Sequence, residues 1–346
     1  MKYDREYWDD AALAAERIPR LETLYGKTLL ITGGTGMICS AVIDVIVWLN
    51  CHRHAGIRLI LAGRSRERAA RRFDGVLKET EYQFLPFEAT APQIADVRAD
   101  YFLHGAGNAN PAVYAKEPVE TLVGNIVGLR SMLEAARKNP CSRLLFISSS
   151  EVYGNRADRR EGPFREDEYG YVDILNPRAC YPDGKRAAET LCAAYRQEYG
   201  VDFVIVRPGH IYGPSVTDSD TRASASFSRD AAAGRDIVMK STGEQRRSYC
   251  YTLDCASAIL AVLLNGEDGE AYNISNRNSI ASVREVAEAL AAAGGVRVVY
   301  ECPSETERKS YNPMNHSVLD SEKLEGLGWR GVFGLKEGTE RTLRYL

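Results

Sequence analysis

The chain has 346 residues, 45% of them hydrophobic and 26% charged, with 44 Lys and Arg against 47 Asp and Glu for a formal net charge of −3. This balance excludes a chain too polar to bury a core, and it offers no electrostatic footprint for nucleic acid. The length exceeds one ordinary domain of roughly 100–200 residues but falls short of three. No apolar run approaches the ~20 residues of a membrane span, and the best one, Ala41 to Leu49, carries Asp44. The first residues, Met1 to Trp8, are charged and lack the apolar stretch of a signal peptide. Eight cysteines without a Cys-x-x-Cys pair or clustered histidines argue against a zinc site or a disulfide framework. The expectation is an enzyme or ligand-binding protein of a reducing cytoplasm, with no metal and with neither nucleic acid nor membrane as partner.

Residues 1–26 read as a polar helical arm, with Tyr3, Tyr7, Trp8, Leu13, Ile18 and Leu21 at loose helical spacing; the alternative is an exposed tail. From Lys27 short apolar runs alternate with amphipathic stretches. Strands are predicted at Thr28–Thr32, Arg58–Ala62, Tyr82–Phe87, Tyr101–His104, Arg143–Ser148 and Phe203–Val206. Helices are predicted at Met37–Leu49, Ser65–Leu77, Pro118–Arg137 and Lys185–Tyr199. Uninterrupted apolar strands suit a parallel sheet buried on both faces, and the alternation implies βαβ units. Beyond Pro208 the rhythm loosens, with further helices at Ala223–Gly234, Leu253–Leu264 and Val283–Ala293. The predicted fold is an α/β, doubly wound parallel sheet of the Rossmann type over residues 27–208. A smaller C-terminal α/β substrate lobe over 209–346 is partly interleaved with it.

The first strand runs into Thr32-Gly33-Gly34-Thr35-Gly36-Met37-Ile38-Cys39, which opens a helix. Glycines there make a tight turn and leave the backbone open, so a pyrophosphate can sit on the helix N-terminus. Cys39 stands where a third small residue normally lets helix and strand pack closely, which predicts slightly wider spacing without loss of binding. An acid ending the second strand would hold the adenosine ribose and repel a 2′-phosphate. Here the sequence is Gly63-Arg64-Ser65-Arg66, so local chemistry favours NADP unless these arginines simply begin a solvated basic helix.

After the fifth strand come Ser149, Ser150 and Glu151, and further on Tyr181 and Lys185, spaced i,i+4 so that both share one helical face. A phenol is a poor base at neutral pH, but an ammonium and a nicotinium nearby would favour its phenolate. Tyr181 could then take a proton from a hydroxyl as hydride leaves its carbon, with Ser149 bonded to the same oxygen and Glu151 a second acid or base. Pro182 disfavours helical geometry at Tyr181, which is expected at the N-cap or just outside the first turn. The bland reading leaves Ser149 and Glu151 as loop caps.

These motifs resemble the extended short-chain dehydrogenase/reductase family that remodels nucleotide sugars. Ser149-Ser-Glu-Val-Tyr-Gly154 and Pro177-Arg-Ala-Cys-Tyr-Pro-Asp-Gly-Lys185 are most similar to UDP-glucuronate decarboxylases. The likeness continues through Arg207-Pro-Gly-His-Ile-Tyr-Gly-Pro214 and Arg247-Ser-Tyr-Cys-Tyr-Thr-Leu-Asp254. The resemblance implies a retained nicotinamide cofactor, NAD by family habit with NADP still open because of Arg64. That cofactor oxidises a nucleotide-diphosphate sugar at C4, and the 4-keto sugar then loses carboxylate, is epimerised, or is dehydrated. Related dehydratases carry an acid where Ser150 stands, and related epimerases usually lack the glutamate, so decarboxylation leads.

The resemblance also assigns cofactor contacts to Gly33, Thr35, Gly36, Met37, Ile38, Arg64, Ser65, Ala106, Gly107, Asn125, Lys185 and Pro208. Substrate contacts fall to Ser150, His210, Arg222, Arg247 and Arg308. His210 replaces an asparagine of many relatives, and a buried structural histidine is the alternative. Of Arg246 and Arg247, adjacent in a strand, only one should face the ligand. A homodimer through the helices at 118–137 and 185–199 is expected. The competing readings are an NADP-linked carbonyl reductase and a cofactor-sensing binding protein.

Overall fold

The computed structural model describes residues 1–91, 97–139, 143–156, 162–217, 219–303 and 316–346. The predicted strands form as β1 (Thr28–Thr32), β2 (Arg58–Gly63), β3 (Tyr82–Pro86), β4 (Tyr101–His104), β5 (Arg143–Ile147) and β6 (Phe203–Pro208). Further strands follow, β7 (His210–Tyr212), β8 (Ile237–Met239) and β9 (Arg246–Tyr251), and then β10 (Ala271–Ile274). β10 returns to the first layer and completes a seven-stranded sheet in the order β10-β6-β5-β4-β1-β2-β3, parallel at every pairing. This is the doubly wound α/β architecture expected from the sequence.

Its helices are α1 (Arg5–Ala15), α2 (Met37–Arg53), α3 (Arg66–Arg72), α4 (Pro111–Lys116), α5 (Pro118–Lys138), α6 (Cys180–Tyr199), α7 (Ala223–Ala232) and α8 (Thr252–Asn265). Strand side chains alternate between two cores, which is why both faces of the sheet read as apolar. Leu29, Ile31, Leu103, Leu145 and Val204 pack with α2 and α8, whereas Leu30, Phe102, Leu144, Phe146 and Ile205 pack with α5 and α6. Helix α9 (Val283–Gly294), with strands β11 (Ile280–Ser282), β12 (Val298–Tyr300) and β13 (His316–Ser317), builds the smaller lobe. There β9 is paired by β7 and β13 in parallel and by β11 antiparallel. The last helices are α10 (Glu322–Gly326) and α11 (Leu335–Tyr345).

Helix α1 is not an exposed tail. Tyr7, Ala11, Ala14 and Ala15 are buried, and α1 packs on α2 and α8. The attachment is polar as well as apolar. Asp44, fully buried in α2, accepts hydrogen bonds from the Tyr7 hydroxyl at 2.7 Å and the Tyr3 hydroxyl at 3.1 Å, and Arg72 lies 3.5 Å away. Burial pushes the Asp44 carboxyl up despite the opposing Arg72 charge. Chain ends of the fold meet here too: Arg341 and the Tyr345 hydroxyl of α11 both bond Asp10 of α1, at 2.9 and 2.8 Å.

Removing one partner of a buried ion pair leaves the other charge uncompensated, so Arg72→Met is expected to cost about 3 kcal/mol at pH 8. The cost should shrink at pH 5. Asp44's carboxyl is raised above its unfolded value, so its penalty grows as pH rises and is relieved when it binds a proton in the folded state. Urea denaturation at the two pH values measures this, and a pH-independent cost would show that Asp44 does not carry it.

Candidate active site

The site begins where β1 ends. Gly33 has φ +72°, and a Cβ there would lie 2.7 Å from the carbonyl oxygen of Gly105 on the neighbouring strand's loop, so only glycine fits. Gly36 is the N-cap of α2, and a Cβ on it would meet the Gly33 oxygen at 3.2 Å. Thr35, Met37 and Ile38 complete this turn and the first residues of α2. The Thr32 hydroxyl oxygen accepts from the amides of Gly105 and Ala106, both at 3.1 Å, which fixes the two loops against each other. The problem posed by Cys39 is solved across the sheet. A Cβ on Gly105 would come within 2.4 Å of the Cys39 sulfur, so the small residue has moved to the facing strand.

Gly107 continues this bare wall, with a position for Cβ 3.4 Å from Asn125 Oδ1 and 3.9 Å from Lys185 Nζ. Asn125 Oδ1 and Thr121 Oγ1, both on α5, are buried without a hydrogen-bond partner among the described residues. Buried polar atoms normally find partners. A glycine cradle opening a helix, with unsatisfied polar atoms further along, fits a dinucleotide. Pro208 closes β6 on the same edge of the sheet. Ser65 caps α3 by accepting from the Arg68 amide at 3.1 Å, while Arg64 is exposed and pairs with no carboxylate among the described residues.

β5 delivers Ser149. Its hydroxyl accepts from the Glu151 amide at 3.2 Å and caps the short 3₁₀ turn Ser150–Tyr153, in which Ser150 is buried. A second 3₁₀ turn, Pro177–Ala179, leads into α6. Tyr181 therefore lies inside the first helical turn rather than at the N-cap or outside it. Pro182 is tolerated there because its missing N–H falls among the first amides, which have no intrahelical acceptor.

Ser149 lies near enough to the Tyr181 phenol to favour its ionised form. Lys185, one turn on, is buried; its Nζ donates to the Ile147 carbonyl at 2.9 Å and stands 5.9 Å from the centre of the Tyr181 ring. Burial pushes the Tyr181 phenol up to about 12, aided by the Glu151 charge and opposed by Ser149, Arg222 and Arg178. Burial likewise pulls Lys185 down to about 8, against the Glu189 and Cys39 groups. The four predicted catalytic side chains are thus brought together.

Sequence reasoning assigned no role to several neighbours. Arg178 forks onto Glu151, with Nη1–Oε2 at 2.9 Å and Nη2–Oε1 at 3.1 Å. Tyr114 of α4 stacks on Tyr181 with ring centres 5.5 Å apart. Behind Lys185, Glu189 accepts from Arg207 at 2.6 Å and from the Ser148 hydroxyl at 2.5 Å, tying α6 to the ends of β5 and β6. Arg178 and Arg207 stand within the quoted motifs, which was their only signal; Tyr114 had none.

On the other lip, Arg247 of β9 points inward and is 4% exposed, whereas Arg246 is exposed and reaches Glu285 at 3.9 Å, so one of the adjacent pair faces in. His210 of β7 lies with its ring 5.6 Å from that of Tyr249, and its Nδ1 is buried without a partner among the described residues. Burial, then Arg247 and Arg222, pull His210 down to about 3, so at neutral pH it offers a neutral ring. Arg222 Nε donates to Asp220 at 3.0 Å, and its charge reaches Tyr181. Arg308 lies outside the described residues. No helix among the described residues is long and apolar enough to cross a membrane.

Residues 29–275 match the model of the NAD dependent epimerase/dehydratase family. UDP-glucuronic acid decarboxylase 1 of Xenopus tropicalis is 30% identical over 322 residues, spanning 92% of this chain and 72% of that protein. Among solved structures, the UDP-glucuronic acid 4-epimerase of Bacillus cereus, in complex with UDP-glucuronic acid and NAD, superposes with a TM-score of 0.75 at 19% identity, over 92% of this chain and 98% of that one. The dTDP-glucose 4,6-dehydratase DesIV of Streptomyces venezuelae, with NAD bound, gives 0.77 at 22% identity, over 92% and 96%.

Proposed function

Because the chain belongs to the NAD dependent epimerase/dehydratase family, we propose that this enzyme decarboxylates UDP-glucuronate through a 4-keto sugar. The observation that carries this is the contact of Ser149 and Glu151 with the Tyr181 and Arg178 segment, beside buried Lys185. Bound NAD supplies the hydride acceptor at C4 and later the hydride donor. Gly33, Gly36, Gly107, Asn125 and Lys185 would hold it.

Tyr181 takes the C4 hydroxyl proton, and Ser149 hydrogen-bonds that oxygen as it becomes a carbonyl. The ketone makes the C5 carboxylate a β-keto acid, so the C5–C6 bond breaks to release carbon dioxide, its electron pair passing to an enolate. C5 would take up a proton from solvent, and Tyr181 would return its proton to the C4 oxygen, leaving a UDP-pentose. Arg247 and His210 would meet the diphosphate, as guanidinium groups pair well with phosphate. Ser150 in place of an acid weighs against dehydration, and Glu151 against simple epimerisation. We further propose a homodimer through α5 and α6, since Val119 and Leu122 lie exposed on α5.

Incubation with UDP-glucuronate, UDP-glucose and dTDP-glucose separates the branches by product mass. Carbon dioxide and a UDP-pentose are expected. A product of unchanged mass from UDP-glucuronate would make the protein an epimerase, and loss of water from a hexose would make it a dehydratase.

A further inference from the structure

Arg178 reaches the reacting groups on two sides. Its guanidinium forks onto Glu151, 27 residues earlier in the chain, through two charge-assisted hydrogen bonds of planar geometry. Its flat face lies over Tyr114, with the guanidinium carbon 4.7 Å from the ring centre. Tyr114 in turn lies nearly parallel to Tyr181, at 20° between the ring planes. Cation, ring and ring form one column ending at the phenol, and the fork ties that column to the turn that carries Ser149.

Stability alone does not account for this arrangement. Arg178 Nε is buried with no acceptor among the described residues, and an unpaired buried donor weakens a fold. Both members of the ion pair have 18% side-chain exposure, where pairing adds modestly to folding.

We propose that Arg178 is the positioning residue of this site, fixing Glu151 beside Ser149 and, through Tyr114, setting the plane of the Tyr181 ring. The assignment rests on the nucleotide-sugar reading above. It explains why an arginine stands three residues before the tyrosine: lysine would keep the charge but lose both the fork and the planar stacking surface.

The test uses the cofactor-bound enzyme and whichever of UDP-glucuronate, UDP-glucose or dTDP-glucose the wild type converts. Arg178→Lys and Arg178→Met should each lower kcat about 10²–10³-fold, with KM within threefold of wild type and retained nicotinamide unchanged. Guanidinium ion should restore at least tenfold of the loss in Arg178→Ala and leave the wild type unaffected. This rescue also decides the matter if the methionine variant folds poorly. The rising limb of the pH–rate profile should move to higher pH in Arg178→Met, since Tyr181 is faced by the charges of Glu151, Arg178, Arg222 and Lys185, and one of its cations is removed.

Full activity in the lysine variant, or loss that guanidinium does not reverse, would overturn the positioning role while leaving the nucleotide-sugar reading intact. A wild type that converts none of the three sugars would remove that reading and the positioning role with it.

Discussion

Changing Tyr181 to phenylalanine lowers turnover about 10³–10⁴-fold while the melting temperature and the amount of retained NAD stay near wild-type values. The phenol is buried, and desolvation holds its proton on at neutral pH. Only cationic neighbours make proton abstraction feasible, so no other group at this position replaces it. Phenylalanine preserves the stack on Tyr114 and the apolar contacts of α6, hence the expected stability. Near-ultraviolet absorbance of reduced nicotinamide in a single turnover reports the oxidation step alone. Wild-type rates in this variant would remove Tyr181 from the base role. In the wild type the oxidation step should accelerate as pH rises from 6 toward 8, because the fraction of phenolate grows with pH. It should flatten above about 8, where Lys185 begins to lose its charge.

Lys185→Met is expected to abolish detectable turnover and yet to stabilise the cofactor-free protein. The ammonium is buried with the Ile147 carbonyl as a hydrogen-bond acceptor and the Phe146 ring 4.7 Å away, and burial depresses it from 10.5 to about 8. Such a depression means that folding the charged form costs on the order of 3 kcal/mol. The sign sets the pH window. Below pH 8 both states are charged and the full cost is present. Between pH 8 and 10.5 the unfolded chain holds a proton that the folded one has released, so the cost fades as pH rises.

Methionine fills a similar volume without charge. The variant should therefore unfold at higher denaturant than wild type at pH 7, with the gap closing by pH 10. A variant less stable than wild type at pH 7 would show that the ammonium is well satisfied in the folded protein. The pairing of lost turnover with gained stability is the pattern of a group kept for chemistry.

The strands were legible because a parallel sheet covered on both faces demands unbroken apolar runs, and five of the six predicted strands begin and end within a residue of those observed; β6 runs on through Arg207 and Pro208. Helix ends were harder. α2 runs past Leu49 to Arg53 although Asn50, His52 and Arg53 are polar, since the last turn needs no apolar face. α6 starts five residues before Lys185, because Pro182 falls within the first turn, where its missing N–H costs no intrahelical bond. Ser149, Glu151, Tyr181 and Lys185 were legible by residue type and spacing. Tyr114 and the cross-chain use of Arg178 were not, since their meaning lies in contacts 67 and 27 positions away. The same holds for Asp44, which reads as a blemish in an apolar helix until Tyr3, Tyr7 and Arg72 are seen around it.

The junction of α1 with α11 bears on how the molecule is made. Arg341 and Tyr345 close on Asp10, more than 330 positions upstream. During synthesis the nucleotide-binding sheet up to β6 can assemble while its strands emerge. The first helix can dock on α2 early, but its seat on α8 and its bonds to α11 stay unfinished until α8 and α11 have been made. Closure of that seam is thus a late event. In refolding, protection of the α1 amides against hydrogen exchange should lag behind that of β1 and β4.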